Sequence, residues 1–384
     1  MTFGPSNRGA SVSPFLVMNV MQQAAERVAA GGEVLHLEVG QPGTAAPAGA
    51  RQAAKSAIDT EVLGYTVALG IPALRQRLVR HYREWYGVDL PMERIGITTG
   101  SSAGFLLSFL AAFDPGDRVL LTDPSYPCYR NILSALGVEA VRVPAGADTR
   151  YQIDAAMLDD IPNLAGVVAA SPSNPTGSLL PEPSLKALAE ACHSRGIRLI
   201  SDEIYHGLVF EGTAACAAKY SDSAIIINSY SKYFSMTGWR IGWLVMPEDL
   251  VGAMERLAQN FFISPPGVSQ IAALAAMDCG NELEANRAAY AANRQTMLRR
   301  LPEIGIGNLA PADGAFYIYA DVGDLTNDSA EFCRRLLSDT GVAITPGLDF
   351  DPDRGNRTIR LSYCAGSSDL AEALDRMSQW LGKR

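Results

Sequence analysis

The stretch IRLISDE, residues 197–203, decides the fold: a short apolar run that stops abruptly on two carboxylates. Five more runs share its character: RIGITT (94–99), DRVLLTD (117–123), AGVVAAS (165–171), AIIINSY (224–230) and IGWLVM (241–246). Helix-like segments separate most of them, such as 102–113, 126–136 and 183–194. Apolar strands without in–out alternation, interleaved with helices, indicate a mainly parallel sheet covered on both faces. The expected fold class is α/β: a large domain with a mainly parallel sheet sandwiched by helices, plus a smaller α+β domain.

Outward from this block the pattern changes. Towards the N-terminus, Ser13-Pro14 reads as a helix cap with proline at the first position. A helix over about 15–30 would end at Gly31-Gly32, and the strand VLHLEVG (34–40) follows. After about Val268 a long helical stretch, 267–300, leads away from the sheet. GAFYIYAD (314–321), a helix near 329–340, GVAITPG (341–347), TIRLSYC (358–364) and a last helix complete the chain. The expected division is a large domain over 40–268 and a small one built from 1–39 and 269–384.

Composition excludes several classes. The 384 residues are 48% hydrophobic and 19% charged, which is ample for a large core. A net charge of −9, with no basic block, argues against nucleic acid and anionic membranes as partners. Six scattered cysteines without a CxxC pair read as thiols of a reducing compartment, and the four histidines show no ligand spacing, so no metal is expected. The start, MTFGPSNRGASVSPF, is not a signal peptide, and no apolar run approaches the ~20 residues of a membrane span. The expected location is cytoplasmic.

In open parallel sheets ligands bind beyond the carboxyl ends of the strands. Gly100-Ser101-Ser102, Asp123-Pro124-Ser125-Tyr126, Ser173-Asn174-Pro175, Asp202-Glu203 and Ser231-Lys232 all fall there. Asp202 ends a buried strand, where a carboxylate either caps the next helix or faces a buried cation. Asn174, before a proline, suits turn chemistry or ligand contact. Ser101 and Ser102 open a helix, as simple caps or as a phosphate seat. Arg240 matches phosphate bidentately, and Ser229 and Ser231 add hydroxyls. Lys232 lies among small hydroxyl residues, where burial or a neighbouring cation would lower its pKa and make it a nucleophile. Tyr126 offers a flat face. Pyridoxal 5′-phosphate has the matching parts: a dianionic phosphate, a ring nitrogen useful when protonated, a phenolate and an aldehyde.

The segment SYSKYFSMTGWRIG (229–242) resembles the lysine signature of the class I/II aminotransferases of fold type I. The likeness extends through GYTVALGIPALR (64–75), ITTGSSAGF (97–105), DPSYPCY (123–129), SPSNPTG (171–177), SDEIYHGLVF (201–210), GAFYIY (314–319), ITPGLDF (344–350) and TIRLSYC (358–364). The resemblance implies that Lys232 bonds the cofactor aldehyde and carries the proton. Asp202 would pair with the ring nitrogen, and Asn174 and Tyr205 with the phenolic oxygen. Ser101, Ser102, Ser229 and Arg240 would hold the phosphate, and Tyr126 would stack on the ring. Arg360, which alone would read as a surface ion pair, would bind the substrate carboxylate with the Gly40 backbone and Asn174. Tyr65, by itself a core aromatic, would reach the phosphate of the other subunit, which implies a homodimer with shared active sites.

The implied reaction moves an amino group between an L-amino acid and a 2-oxo acid by a ping-pong mechanism. A C–S β-lyase or related eliminating enzyme on the same fold is the alternative. A ligand-binding protein on a dead scaffold is disfavoured by the intact Lys232, Asp202 and Arg360. Ser102-Ala103 stands where aspartate-specific relatives carry lysine, so an apolar or aromatic donor is expected, with Phe15, Val17 and Met18 near its pocket.

Overall fold

The computed structural model describes residues 4–382, so residues 1–3 and 383–384 of the expected small domain lie outside it. Its strands are β1 (Leu35–His36), β2 (Ile95–Thr98), β3 (Arg118–Asp123), β4 (Glu139–Pro144), β5 (Leu164–Ala170), β6 (Arg198–Asp202), β7 (Ile225–Ser229), β8 (Gly242–Val245), β9 (Asn308–Leu309), β10 (Tyr317–Asp321), β11 (Val342–Ala343), β12 (Thr345–Pro346) and β13 (Thr358–Ser362). Seven of them form one sheet in the order β2-β8-β7-β6-β5-β3-β4. All six apolar runs lie in it. Strands such as β7, buried at every position, have no solvent face, which is why their sequences do not alternate.

Two features of this sheet differ from the expectation. The run 241–246 enters antiparallel to both neighbours, β8 following β7 through a loop that holds no α-helix to carry a crossover. The edge strand β4 was not expected, since its mixed, half-buried sequence EAVRVP carries no apolar run.

The antiparallel β8 sets the geometry of the site. Gly242 begins it opposite both Thr98, the last residue of β2, and Ser229, the last of β7. The chain therefore leaves β2 and β7, and enters β8, at one edge of the sheet. The parallel strands β3, β5 and β6 end at that edge on Asp123, Ala170 and Asp202.

The later strands form a second sheet, β12-β13-β10-β9, and β1 pairs in parallel with β11. The expected strand over 34–40 shrinks to Leu35–His36. The expected long helix over 267–300 is two helices, Gly267–Ala276 and Gly280–Glu303. The N-terminal helix, Leu16–Ala29, buries Val20 and Ala24 against Leu337 and Ala343. Its start is not capped by Ser13-Pro14. Phe15 stands at the cap position, and the Asp349 carboxylate accepts from Leu16 N (2.9 Å) and Val17 N (3.1 Å) instead. A cap from 333 residues away along the chain has no local signature.

Candidate active site

The chain passes from β2 into the helix Gly100–Ala112 through Gly100, at φ +73°. A Cβ there would stand 2.5 Å from Arg240 Nη2, and one on Gly242 would stand 3.0 Å from Ser101 N. These two glycines let the Arg240 guanidinium reach the first turn of the helix. No side chain caps that turn, so its N–H groups and the guanidinium make an anion cradle. Arg240 Nη1 donates to Thr237 O at 3.0 Å, and the side chain is otherwise open to solvent. Ser101 is half-buried and Ser102 exposed in the same turn. Ser229 is buried, and its hydroxyl is engaged within its own loop: it accepts from Ser231 N (3.0 Å) and donates to Ile241 O (3.4 Å).

Lys232 follows this loop. Its Nζ donates to Gly40 O at 2.6 Å and lies 5.6 Å from the Tyr205 ring centroid. Its pKa is lowered to about 8, chiefly by burial; Cys364 and Asp202 oppose the shift, and Arg360 and Arg240 add to it. The sequence suggested Arg240 as the neighbouring cation, but desolvation is the larger cause and Arg360 acts ahead of Arg240.

Asp202 lies at the floor of the same space. Burial pushes its carboxyl up to about 6, against hydrogen bonds from Tyr129 and Ile204 N and the charge of Lys232. Oδ1 accepts from Ile204 N at 3.1 Å, and Tyr129 OH donates to Oδ2. No helix follows Asp202. A tight turn, with His206 N on Glu203 O and Leu208 N on Tyr205 O, carries Tyr205 into the site instead.

Arg360, on β13, is 4% exposed and makes no ion pair among the described residues. Its guanidinium donates to Asn174 Oδ1 (2.9 Å) and Glu38 O (2.6 Å), and lies 4.3 Å from the ring centroid of Tyr317 and 4.6 Å from that of Phe350. Its Nε is buried without a partner. A guanidinium held this way, with no counter-anion, is a ready seat for a carboxylate.

Tyr126 meets Phe15 and Tyr129 edge-on, at 5.9 and 5.5 Å between centroids. Val17 is buried and Phe15 half-buried, whereas Met18, expected beside them, faces solvent. Tyr65 is 85% exposed. The structure thus gathers Lys232, Asp202, Asn174, Tyr205, Arg360 and Gly40 in one cleft, with the anion cradle at its edge, and leaves Tyr65 on the surface. Three contributors were not singled out from sequence: Tyr129, Tyr317 and Phe350. Each sits in a motif quoted above, but their hydroxyls and rings meet the site only through tertiary packing.

The chain is similar to known proteins over nearly its whole length. The family described as aminotransferase class I and II matches residues 32–377. The valine–pyruvate aminotransferase of Mycobacterium tuberculosis is 52% identical over 377 residues, 97% of each chain. A crystal structure of an aminotransferase from that organism superposes over 100% of both chains with a TM-score of 0.98 at 50% identity. The aspartate aminotransferase of Thermus thermophilus with maleate covers 98% of this chain and 100% of its own at a TM-score of 0.93 and 30% identity.

Proposed function

Because the chain belongs to the class I and II aminotransferases, and so moves an amino group between an amino acid and a 2-oxo acid, we propose that it works with pyridoxal 5′-phosphate in the cleft around Lys232. One observation carries this reading: a half-buried lysine of lowered pKa stands in a cleft with an anion cradle at Arg240 and a buried carboxylate, Asp202, that makes no ion pair among the described residues. The donor set fits the group. Arg240 and the amides and hydroxyls of Ser101 and Ser102 suit the phosphate, which the Ser229 hydroxyl joins only by turning from Ile241 O, with the Ser231 hydroxyl beside it; Asp202 suits the ring nitrogen, Asn174 and Tyr205 the phenolic oxygen, and Tyr126 the ring face. We assign the cofactor-holding domain to residues 40–268 and the small domain to 1–39 and 269–384.

Bound there, the cofactor supplies an electron sink and a carrier for the amino group. The residues do the rest. Arg360 holds the substrate carboxylate, with Asn174 and the Gly40 backbone beside it, and so orients the Cα–H bond. Lys232 Nζ, whose lowered pKa raises the share of neutral amine, takes the Cα proton and later gives it up again. A cation opposite Asp202 offsets the burial that raises its pKa, so its carboxylate ionises and keeps the ring nitrogen protonated. Phe15 and Val17, at the start of the N-terminal helix, supply apolar cover.

For substrates we propose valine or a similar small apolar donor and pyruvate as acceptor, supported by the relative that is 52% identical. We also propose a homodimer. Val62, Tyr65, Val67, Phe261 and Ile263 are all more than half exposed, and Thr66 N donates to Ser264 Oγ, which joins the two segments into one apolar patch. A depression in that patch is lined by Tyr65 and Thr99, next to the anion cradle, so Tyr65 of a second copy has a short path to it. None of the described helices is long and apolar enough to cross a membrane, and six free cysteines suit a reducing, cytoplasmic compartment.

The test is a half-reaction. Reconstituted protein given valine alone should accumulate pyridoxamine phosphate, and pyruvate should reverse it. Lys232→Ala should lose about 10⁴-fold or more in turnover. Substantial turnover in that variant would defeat the assignment, and release of pyruvate and ammonia from a cysteine conjugate without an acceptor would point to a lyase.

A further inference from the structure

We propose that Tyr317 is a positioning residue that ties the two halves of the site together, its hydroxyl setting Tyr205 and its ring setting Arg360. This rests on the pyridoxal phosphate reading above.

Three contacts carry it. Tyr317 OH lies 2.8 Å from Tyr205 OH, and both side chains are buried. The Tyr317 ring centroid is 4.3 Å from Arg360 Cζ. A Cβ on Gly40 would fall 1.7 Å from the Tyr317 hydroxyl, so the glycine exists where this tyrosine needs the space. The Gly40 carbonyl in turn accepts from Lys232 Nζ at 2.6 Å. One side chain therefore touches the phenol proposed for the cofactor's oxygen, the guanidinium proposed for the substrate's carboxylate, and the backbone that holds the amine.

The register explains how. Tyr317 starts β10 opposite Ser362 of β13, two residues beyond Arg360. The loop before β10 also reaches the large sheet's side: Ala315 N donates to Leu208 O, and Val209 bridges Gly314. Tyr317 stands where the segment after Asp202 and the second sheet meet.

Its hydroxyl has a defined task. Tyr205 can donate its only proton to a ligand oxygen if another donor satisfies its own oxygen, and Tyr317 is the donor in reach. Hydrogen bonds in such a chain strengthen one another. Without Tyr317 OH, Tyr205 becomes a weaker donor and holds an anionic phenolic oxygen less well.

The experiment uses full-length holoenzyme reconstituted with pyridoxal 5′-phosphate. Tyr317→Phe keeps the ring and removes the hydroxyl. The pH midpoint of the bound cofactor's visible absorbance should rise, by about half a unit, with the KM for valine nearly unchanged. Tyr317→Leu removes the ring as well and should raise that KM about tenfold, the size of a desolvated cation–π contact. In Tyr205→Phe, adding Tyr317→Phe should shift the midpoint no further. An unshifted midpoint in Tyr317→Phe, or an equal further shift in the double variant, overturns the coupling while leaving the cofactor assignment intact. A wild-type protein without cofactor absorbance would instead overturn the functional reading and this proposal with it.

Discussion

Lys232 differs from a surface lysine by its loss of water, and that difference is measurable. Its pKa in the folded protein is about 8, below the ordinary value of 10.5, so a larger share of neutral amine is present than in a surface lysine. The amine is the reactive form. Capture of pyridoxal phosphate by the cofactor-free protein should therefore quicken as pH rises, with a midpoint near 8, and level off above about 9. A capture rate that still climbs steeply at pH 9.5 would contradict the buried, desolvated amine. Arg360 gives a second prediction. Two of its nitrogens are already committed to Asn174 and Glu38, in a planar geometry that a lysine cannot reproduce. Arg360→Lys should raise the KM for the amino acid about 10–100-fold, with a smaller effect on kcat, in steady-state kinetics. Lys232 was legible in the sequence, because a lone cation inside a hydroxyl-rich segment has no ordinary surface role; Arg360 by itself read as a surface ion pair, and only the family resemblance of TIRLSYC singled it out. Tyr317 was not legible, because a tyrosine in a strand looks the same whether it faces a core or a cleft.

Among the elements, the N-terminal helix shows how far a boundary depends on distant chain. Ser13-Pro14 has the local form of a cap, yet the first N–H groups bond to Asp349. The same loop carries Phe350, packed on Arg360, and Phe350 O accepts from Ser125 N. Asp349→Ala should cost about 1–2 kcal/mol, read as a lower urea midpoint, and should speed hydrogen exchange at the start of the helix. Unchanged exchange over 16–20 would mean that Ser13 or solvent serves the helix equally well. The strands of the large sheet were legible as apolar runs flanked by turn residues. β4 was missed because an edge strand needs no continuous apolar face, and the direction of β8 depends on the connecting loop and partner rather than on its own residues.

At the scale of the whole molecule, the exposed apolar patch around Val62 and Ile263 calls for a partner. A patch used by both copies of a two-fold pair meets itself, so one charge introduced there is felt twice. If the proposed homodimer forms through this patch, Val62→Asp combined with Val67→Asp should give a monomer by light scattering, with weaker retention of pyridoxal phosphate from loss of the proposed Tyr65 contact. A wild-type monomer at micromolar concentration would remove the basis for shared sites.

The sequence by itself determined the α/β class and the edge of the sheet where polar side chains gather, and it pointed to Lys232, Asp202 and Asn174 there, whereas Arg360 came only from the family resemblance. Apolar runs that lack alternation, and charged groups set among them, carry their physical meaning locally. Only the tertiary structure decided that β8 runs backwards and brings Arg240 to the start of the helix at Gly100. It also decided that Asp349 caps a helix more than 300 residues away, and that Tyr317 joins Tyr205 to Arg360. These contacts depend on which surfaces meet when the two sheets pack, and no window along the chain contains both partners.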